Sequence, residues 1–368
     1  MNEKYARLAQ KAERILRYNI CSSEDFPWGM SRMIEPGKGW GGIWNWDSAF
    51  HAIGVLNFDE QLAKEQITGF LKFQCKNGMT PDVIWENGEI EDRFSKPPLL
   101  AYAAMRICRA TGDTEFAKRV YPALARDMQY RCAARCRDGL FHYDADRSDG
   151  CDDKEYEKRV CYESGWDNSI RFDNGCSDLY AVDLNCFTVM AYDSLAYIAD
   201  FIGEDGLKWK NMSAELSDNI RDRLFDNEIG AYCDYNYKTG KFTGVLSPAS
   251  FMPLYAGIAD EKSAECMNDI ARKHFLPAMP TAAYDDSEFS NDYWRGPCWL
   301  NVAYFAAKGL KNYGFTETAD NIRDTILDFV DRDGEFIHEN YDAVSGKGLC
   351  CDHFSWSSVF VLEFIHNF

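Results

Sequence analysis

Acids, aromatic rings and arginines gather at four places in this 368-residue chain. The first is Cys161-Tyr-Glu-Ser-Gly-Trp-Asp-Asn-Ser-Ile170, continued by Arg171 and Phe172. Gly165 frees the backbone, and Ser164, Asp167, Asn168 and Ser169 compete for local backbone hydrogen bonds. The stretch is therefore a poor helix and a poor strand. Glu163 and Asp167 flank Trp166, with Arg171 close by. An apolar ring beside an acid raises its pKa, which lets a carboxyl group donate a proton near neutral pH. The same residues also suit a capping loop in which Trp166 only fills the core.

The second place is Trp40-Gly-Gly-Ile-Trp-Asn-Trp-Asp-Ser-Ala-Phe-His51. Asp47 can accept hydrogen bonds from vicinal sugar hydroxyls while Trp44 or Trp46 stacks on the ring. Capping a helix would explain Asp47 but not the tryptophans. His51 reads as a packed, hydrogen-bonded core residue. In Asn291-Asp-Tyr-Trp-Arg-Gly-Pro-Cys-Trp-Leu-Asn301, Tyr293, Trp294 and Arg295 stand on a loop ahead of Gly296-Pro297. Two aromatics exposed on a loop suggest a ligand, although an arginine more often pairs with a surface acid. The fourth place is Glu339-Asn-Tyr-Asp342, then Gly346-Lys-Gly348 and Phe354-Ser-Trp-Ser357. Taken singly, Glu339 reads as a solvated acid. Paired with Asp167 it becomes a second carboxylate, provided the fold closes on itself to bring the two together.

Helical periodicity predicts twelve elements to position these groups, over about 3–18, 46–56, 60–75, from 97–98 onward, 114–136, 182–202, 207–224, 248–257, 261–273, 297–313, 316–331 and 354–366. Small hairpins are expected around 83–90 and over 231–237 with 241–245, and a long acidic loop over 138–164. No linker divides the chain, so residues 1–368 are expected to form a single all-α domain. Six antiparallel helical pairs curled into a toroid would bury the required core. A solenoid would be more regular than these loops allow.

Composition narrows the partners. Aromatics reach 15% of the chain, more than a core requires, and their faces suit sugar rings. A net charge of −19 repels phosphate backbones and anionic lipid, which excludes nucleic acid and membrane surfaces. The fourteen cysteines contain no Cys-x-x-Cys pair and the six histidines are scattered, so neither a metal site nor another cofactor is expected. Cys350-Cys351 is the one cysteine cluster. Asp144-x-Asp-x-Ser148 with Glu155 partly follows calcium-loop spacing, but Asp149 stands where that loop needs glycine. The first twenty residues are charged and amphipathic, and no apolar run reaches membrane-spanning length. A reduced, cytoplasmic protein is expected.

Trp44-x-x-Asp47 with Ala49-Phe-His51, Glu163-Ser-Gly-Trp-Asp167, Tyr293-Trp-Arg-Gly-Pro297 and Glu339-Asn-Tyr-Asp342 occur in the order found in glycoside hydrolase family 63 and the related trehalases of family 37. From about Trp40 to the C-terminus the chain resembles these enzymes. The resemblance implies an (α/α)6 barrel and an inverting glycosidase acting on a small α-linked glucoside or mannoside. It also implies Asp167 as general acid and Glu339 as general base, with no metal. Trp44, Trp46, Asp47, Trp166, Arg171, Tyr293, Trp294, Arg295 and Trp356 would surround the sugar. Inversion needs the two carboxyl groups about 6.5–9.5 Å apart. The trehalase signature Gln-Trp-Asp-x-Pro-x-Gly-Trp is absent, and there is no room for the β-sandwich domain of larger members. The chain thus resembles the compact bacterial members, among them hydrolases of mannosylglycerate and glucosylglycerate. Their acidic aglycone would need a basic contact, for which Arg171 and Arg295 are candidates. A phosphorylase or epimerase on the same barrel is the enzymatic alternative. A sugar-binding helical protein with a decayed site is the other, and decay would have removed a carboxylate.

Overall fold

Some helices of this chain are apolar on every face and others only along one stripe, and that difference sets the architecture. The structure, a computed structural model, describes residues 3–22 and 32–368. Met1 and Asn2, at the head of the expected amphipathic stretch, lie outside them. The described residues form thirteen α-helices: α1 (Glu3–Tyr18), α2 (Asn45–Val55), α3 (Glu60–Leu71), α4 (Leu100–Thr111), α5 (Thr114–Ala134), α6 (Asp153–Ser164), α7 (Val182–Phe201), α8 (Leu207–Arg223), α9 (Met252–Tyr255), α10 (Glu261–Ile270), α11 (Leu300–Asn312), α12 (Thr316–Arg332) and α13 (Ser355–His366).

Every residue of α2 is buried, as are nearly all of α7, α11 and α13. A helix apolar all round needs neighbours on all sides. These helices find them in a closed circuit: α2 packs on α4, α4 on α7, α7 on α9, α9 on α11, α11 on α13, and α13 on α2 again. The amphipathic helices lie outside. In α1, Leu8, Ala12, Ile15 and Leu16 make one buried stripe, which packs against α13. Similarly α3 covers α2 and α4, α5 covers α4 and α7, α8 covers α7, and α12 covers α11. Outer and inner helices alternate along the chain, with α6 the one addition. This is the all-α (α/α)6 barrel expected from the helix count.

Helix α6 corrects the expectation of a loop over 138–164. The Asp152 side chain accepts a hydrogen bond from the Glu155 amide (2.8 Å), and Arg159 reaches back to Glu155 and on to Asp149. Charges that read as a solvated loop are a capped helix with an i,i+4 pair. Helices α4 and α11 begin at Leu100 and Leu300, after rather than at their prolines. Residues 248–257 form a 3₁₀ turn (Pro248–Phe251) followed by the short α9. The expected 231–245 hairpin is divided: Ala231–Tyr232 pairs with Phe225–Asp226, while Tyr235–Asn236 lies between Lys241–Phe242 and Leu179–Tyr180. Val83–Trp85 pairs on one side with Ile90–Glu91 and on the other with Gly42–Trp44, which delivers the chain into α2.

All fourteen cysteines are free thiols. No cluster of potential metal ligands occurs among the described residues. In the acidic segment Asp144 accepts from Tyr156, and Asp149 and Glu155 are both held by Arg159. No helix among the described residues is long and apolar enough to cross a membrane.

Candidate active site

The N-terminal ends of α2, α11 and α13, the residues leading into α4, and the loop after α6 all meet at one end of the barrel. They enclose a cavity of about 480 Å³, counting its mouth. Asp47 occupies the first turn of α2. It does not cap the helix, since Trp44 holds that position and Ser48 Oγ closes back on the Trp44 carbonyl (2.7 Å). Asp47 is only 5% exposed. Burial pushes its carboxyl up to about 8, with Asp82 and Glu339 adding repulsion and Lys96 opposing.

Glu339 stands just before the small ladder formed by Asn340–Tyr341 and Gly348–Leu349. It is 4% exposed, so the surface-acid alternative is set aside. Tyr293 Oη donates to its Oε1 (2.8 Å), and the Cys351 amide lies 3.5 Å from Oε2. Burial raises its carboxyl to about 7. The two donors pull the other way, and the charge of Asp167 adds to the rise. Asp167 is half-buried on the loop between α6 and α7, and burial raises its carboxyl against the attraction of Lys96. Asp167 (φ 26°) and Tyr293 (φ 53°) both have left-handed backbone. That strain is stored where a Cβ-bearing side chain has to be aimed.

Aromatic rings form the rest of the wall. Trp40 meets Trp44 edge-on (5.5 Å), Trp46 meets Trp356 (5.0 Å), and Trp294 stacks on Trp299 at 3.8 Å. Gly165 ends α6 at φ 77° against the Trp46 ring, where a Cβ would stand 2.5 Å from ring carbons. Gly165→Ala is therefore expected to displace the Asp167 loop. Steady-state kinetics should show kcat/KM lower by about 10²-fold, and denaturation a stability loss of about 1–3 kcal/mol.

Trp44, Trp46, Asp47, Tyr293, Trp294 and Trp356 line the cavity together with Asp167 and Glu339. Trp166, Arg171 and Arg295 are placed elsewhere. Trp166 is 1% exposed, packed behind Trp294 (5.1 Å) and under the Arg171 guanidinium (4.8 Å). Arg171 is buried between Asp183 and Asp234 and makes four hydrogen bonds of 2.8–3.0 Å to their carboxylates. Arg295 grips Asp173 with both terminal nitrogens (2.6 and 2.9 Å) and the Asn168 carbonyl (3.2 Å), while Asn168 Oδ1 accepts the Trp294 amide (2.9 Å). Both arginines therefore aim the acid loop from behind. Glu163 is neutralised by Arg135 and the Asp144 amide. His51 is a core residue bonded to Ser355 Oγ (2.6 Å).

Trp40, Lys96, Trp299 and Phe354 also line the cavity, and sequence reasoning did not select them. Trp40, Trp299 and Phe354 stand inside the quoted stretches but were not assigned to the sugar. Lys96 gave no signal, because Ser95-Lys-Pro-Pro98 reads as a helix lead-in. The assembled site can supply one proton donor, one proton acceptor and a stacking wall to a polyhydroxylated ligand.

Comparison with known proteins agrees with this chemistry. A mannosylglycerate hydrolase of Rubrobacter radiotolerans is 24% identical over 88% of this chain and 90% of its own length. Mannosylglycerate hydrolase MGH1 of Selaginella moellendorffii is 25% identical over 88% of this chain and 80% of its own. The crystal structure of a GH63 mannosylglycerate hydrolase from Thermus thermophilus in complex with glucose superposes with a TM-score of 0.82. It is 23% identical and covers 96% of this chain and 99% of that one, a likeness that shows the fold. Neutral trehalase Nth1 of Saccharomyces cerevisiae shares the fold at a TM-score of 0.75, covering 96% of this chain and 79% of that one at 20% identity. Residues 41–357 match the family described as the mannosylglycerate hydrolase MGH1-like glycoside hydrolase domain. The chain belongs to that family, and it is a glycoside hydrolase of the mannosylglycerate hydrolase and trehalase type.

Proposed function

We propose that this enzyme hydrolyses an α-linked glucoside or mannoside with inversion, Asp167 acting as general acid and Glu339 as general base. The observation that carries the reading is that these two carboxyl groups, one buried and one half-buried and remote in sequence, line one tryptophan-walled cavity with their pKa values raised. Asp167 gives its proton to the leaving oxygen. Glu339, its Oε1 fixed by Tyr293, deprotonates a water that attacks the anomeric carbon from the other face. Asp47 accepts hydrogen bonds from sugar hydroxyls, and the tryptophans cover the ring faces. No step calls for a cofactor.

The names of the relatives favour mannosylglycerate, and the resemblance read from the sequence adds glucosylglycerate, which carries the same aglycone. Fourteen free thiols fit a reduced, cytoplasmic compartment. The test is to incubate α-glucosides and α-mannosides, including both glycerate conjugates, and follow the first-released anomer by proton NMR. The β-anomer is expected first, with a glycerate conjugate turned over faster than trehalose. Initial release of the α-anomer, or turnover that requires phosphate, would overturn the reading.

A further inference from the structure

Among the described residues, Lys96 is the one cation lining the cavity, and it is 6% exposed. Its Nζ donates to the carbonyl of Tyr162 in the last turn of α6 and lies 3.4 Å from Asp82 Oδ1. That oxygen is buried and has no hydrogen-bond donor, so its contact with Lys96 is ionic. The position of Lys96 is built rather than incidental. Ser95 Oγ donates to the Thr80 carbonyl (2.6 Å), Arg131 donates to Ser95 Oγ (2.8 Å), and Asp127 holds both Arg131 and the Thr80 amide. The Asn45 amide at the start of α2 donates to the Asp82 carbonyl (2.9 Å). One polar frame therefore fixes Lys96, Asp82 and the helix carrying Asp47.

We propose that Lys96 is a positioning residue that ties the Asp167 loop to the Asp82 segment and sets the charge of the cavity. Three carboxyl groups, Asp47, Asp82 and Asp167, meet this cation at close quarters. The charges behind them are already committed: Glu163 to Arg135, Asp127 to Arg131, and Glu91 to Arg93. Attraction to Lys96 lowers the carboxyls of Asp47, Asp82 and Asp167 against the burial that raises each of them. Without the cation the cavity would hold more protons at a given pH. Asp47 and Asp167 would each keep their protons to higher pH. The charges of Asp82 and Asp167 repel each other, which raises Asp82. The kinetic part of this inference rests on Asp167 as general acid; the charge part does not.

Two readouts on the full chain separate these parts: the pH profile of kcat/KM, and carbon-13 NMR titration of the aspartate carboxyls. Lys96→Met should move the alkaline limb and the Asp47 and Asp167 titrations up by about one pH unit or more. Lys96→Arg, which keeps the charge, should restore them, and Asp82→Asn should move the limb down. A folded Lys96→Met enzyme that is slower, yet has unmoved limb and titrations, overturns the charge role. If Lys96→Met does not fold, Asp82→Asn decides: an unmoved limb and unmoved titrations refute the proposal. Titrations that move while the limb stays would instead remove Asp167 from the acid role and leave Lys96 as the charge-setting group.

Discussion

Asp167→Asn and Glu339→Gln should each lower kcat/KM for an unactivated O-glycoside by about 10²–10⁴-fold, and they should fail in different ways. Without its acid the enzyme cannot protonate a poor leaving group, but a glycosyl fluoride or dinitrophenyl glycoside leaves unaided. Asp167→Asn should therefore recover most of its rate on such substrates. Glu339→Gln lacks the group that activates water, so the leaving group makes no difference and the deficit persists. Both should retain sugar binding by calorimetry, because Asp47 and the tryptophan wall are untouched. An Asp167→Asn enzyme with near-parental rate on the O-glycoside would remove the acid assignment.

The pH dependence follows from the same two groups. Glu339 must be ionised to act as base, and its carboxyl lies at about 7, so kcat/KM should fall as pH drops through about 7. Asp167 must be protonated, and its carboxyl is raised, so the rate falls again on the alkaline side. Stability carries the opposite sign. The carboxyl of Glu339 is raised in the folded state from 4.5 to about 7, so folding takes up a proton in that interval. The associated stability is fully present below about 4.5 and is lost as pH rises through about 7. Glu339→Gln, neutral at every pH, should melt above the parent at pH 8 and near it at pH 4.5. Glu339 thus destabilises the fold at the pH at which it is ionised.

Replacing Arg171 should damage the protein more than replacing any aromatic of the wall. Arg171 is buried, and its guanidinium is shared by two carboxylates that are themselves buried, Asp183 at the start of α7 and Asp234 beside the Tyr235 strand. Asp234 Oδ1 also accepts the Val182 amide (2.9 Å), so the cluster pins the acid loop to the N-terminus of an inner helix. Arg171→Met fills similar volume but leaves two carboxylates without a cation, at a cost of about 3–5 kcal/mol. That is a large part of the roughly 5–15 kcal/mol that holds a domain folded. Urea denaturation at pH 8 and pH 5.5 checks it. The deficit should be smaller at the lower pH, where the orphaned carboxyls can take up protons. The triple variant Arg171→Met/Asp183→Asn/Asp234→Asn should recover stability relative to the single one, because no buried charge remains. An Arg171→Met protein as stable as the parent at pH 8 would show that the cluster contributes nothing.

Sequence alone determined which segments make twelve of the thirteen described helices, because periodicity and composition are properties of a few consecutive residues. Twelve helices and their alternation along the chain followed, and the closed ring with them. Ordered acids and tryptophans at Trp44–Asp47, Gly165–Asp167, Tyr293–Trp294 and Glu339 were legible for the same reason: each cluster is a run of a few consecutive residues. Helix α6 was not legible, since its stability comes from an Asp152 cap and an Arg159 clamp rather than from an apolar stripe.

Only the tertiary structure decided which charges face the cavity. Arg171 and Arg295 look like ligand-binding arginines in sequence, and folding commits both to carboxylates behind the acid loop. Lys96 looks like a surface residue before a helix, and folding buries it among acids delivered by α2, the strand at Val83 and the loop after α6. The physical reason is that a charge takes its partner from three-dimensional neighbours. A hydrophobic period records only which face turns inward, and says nothing of what waits there.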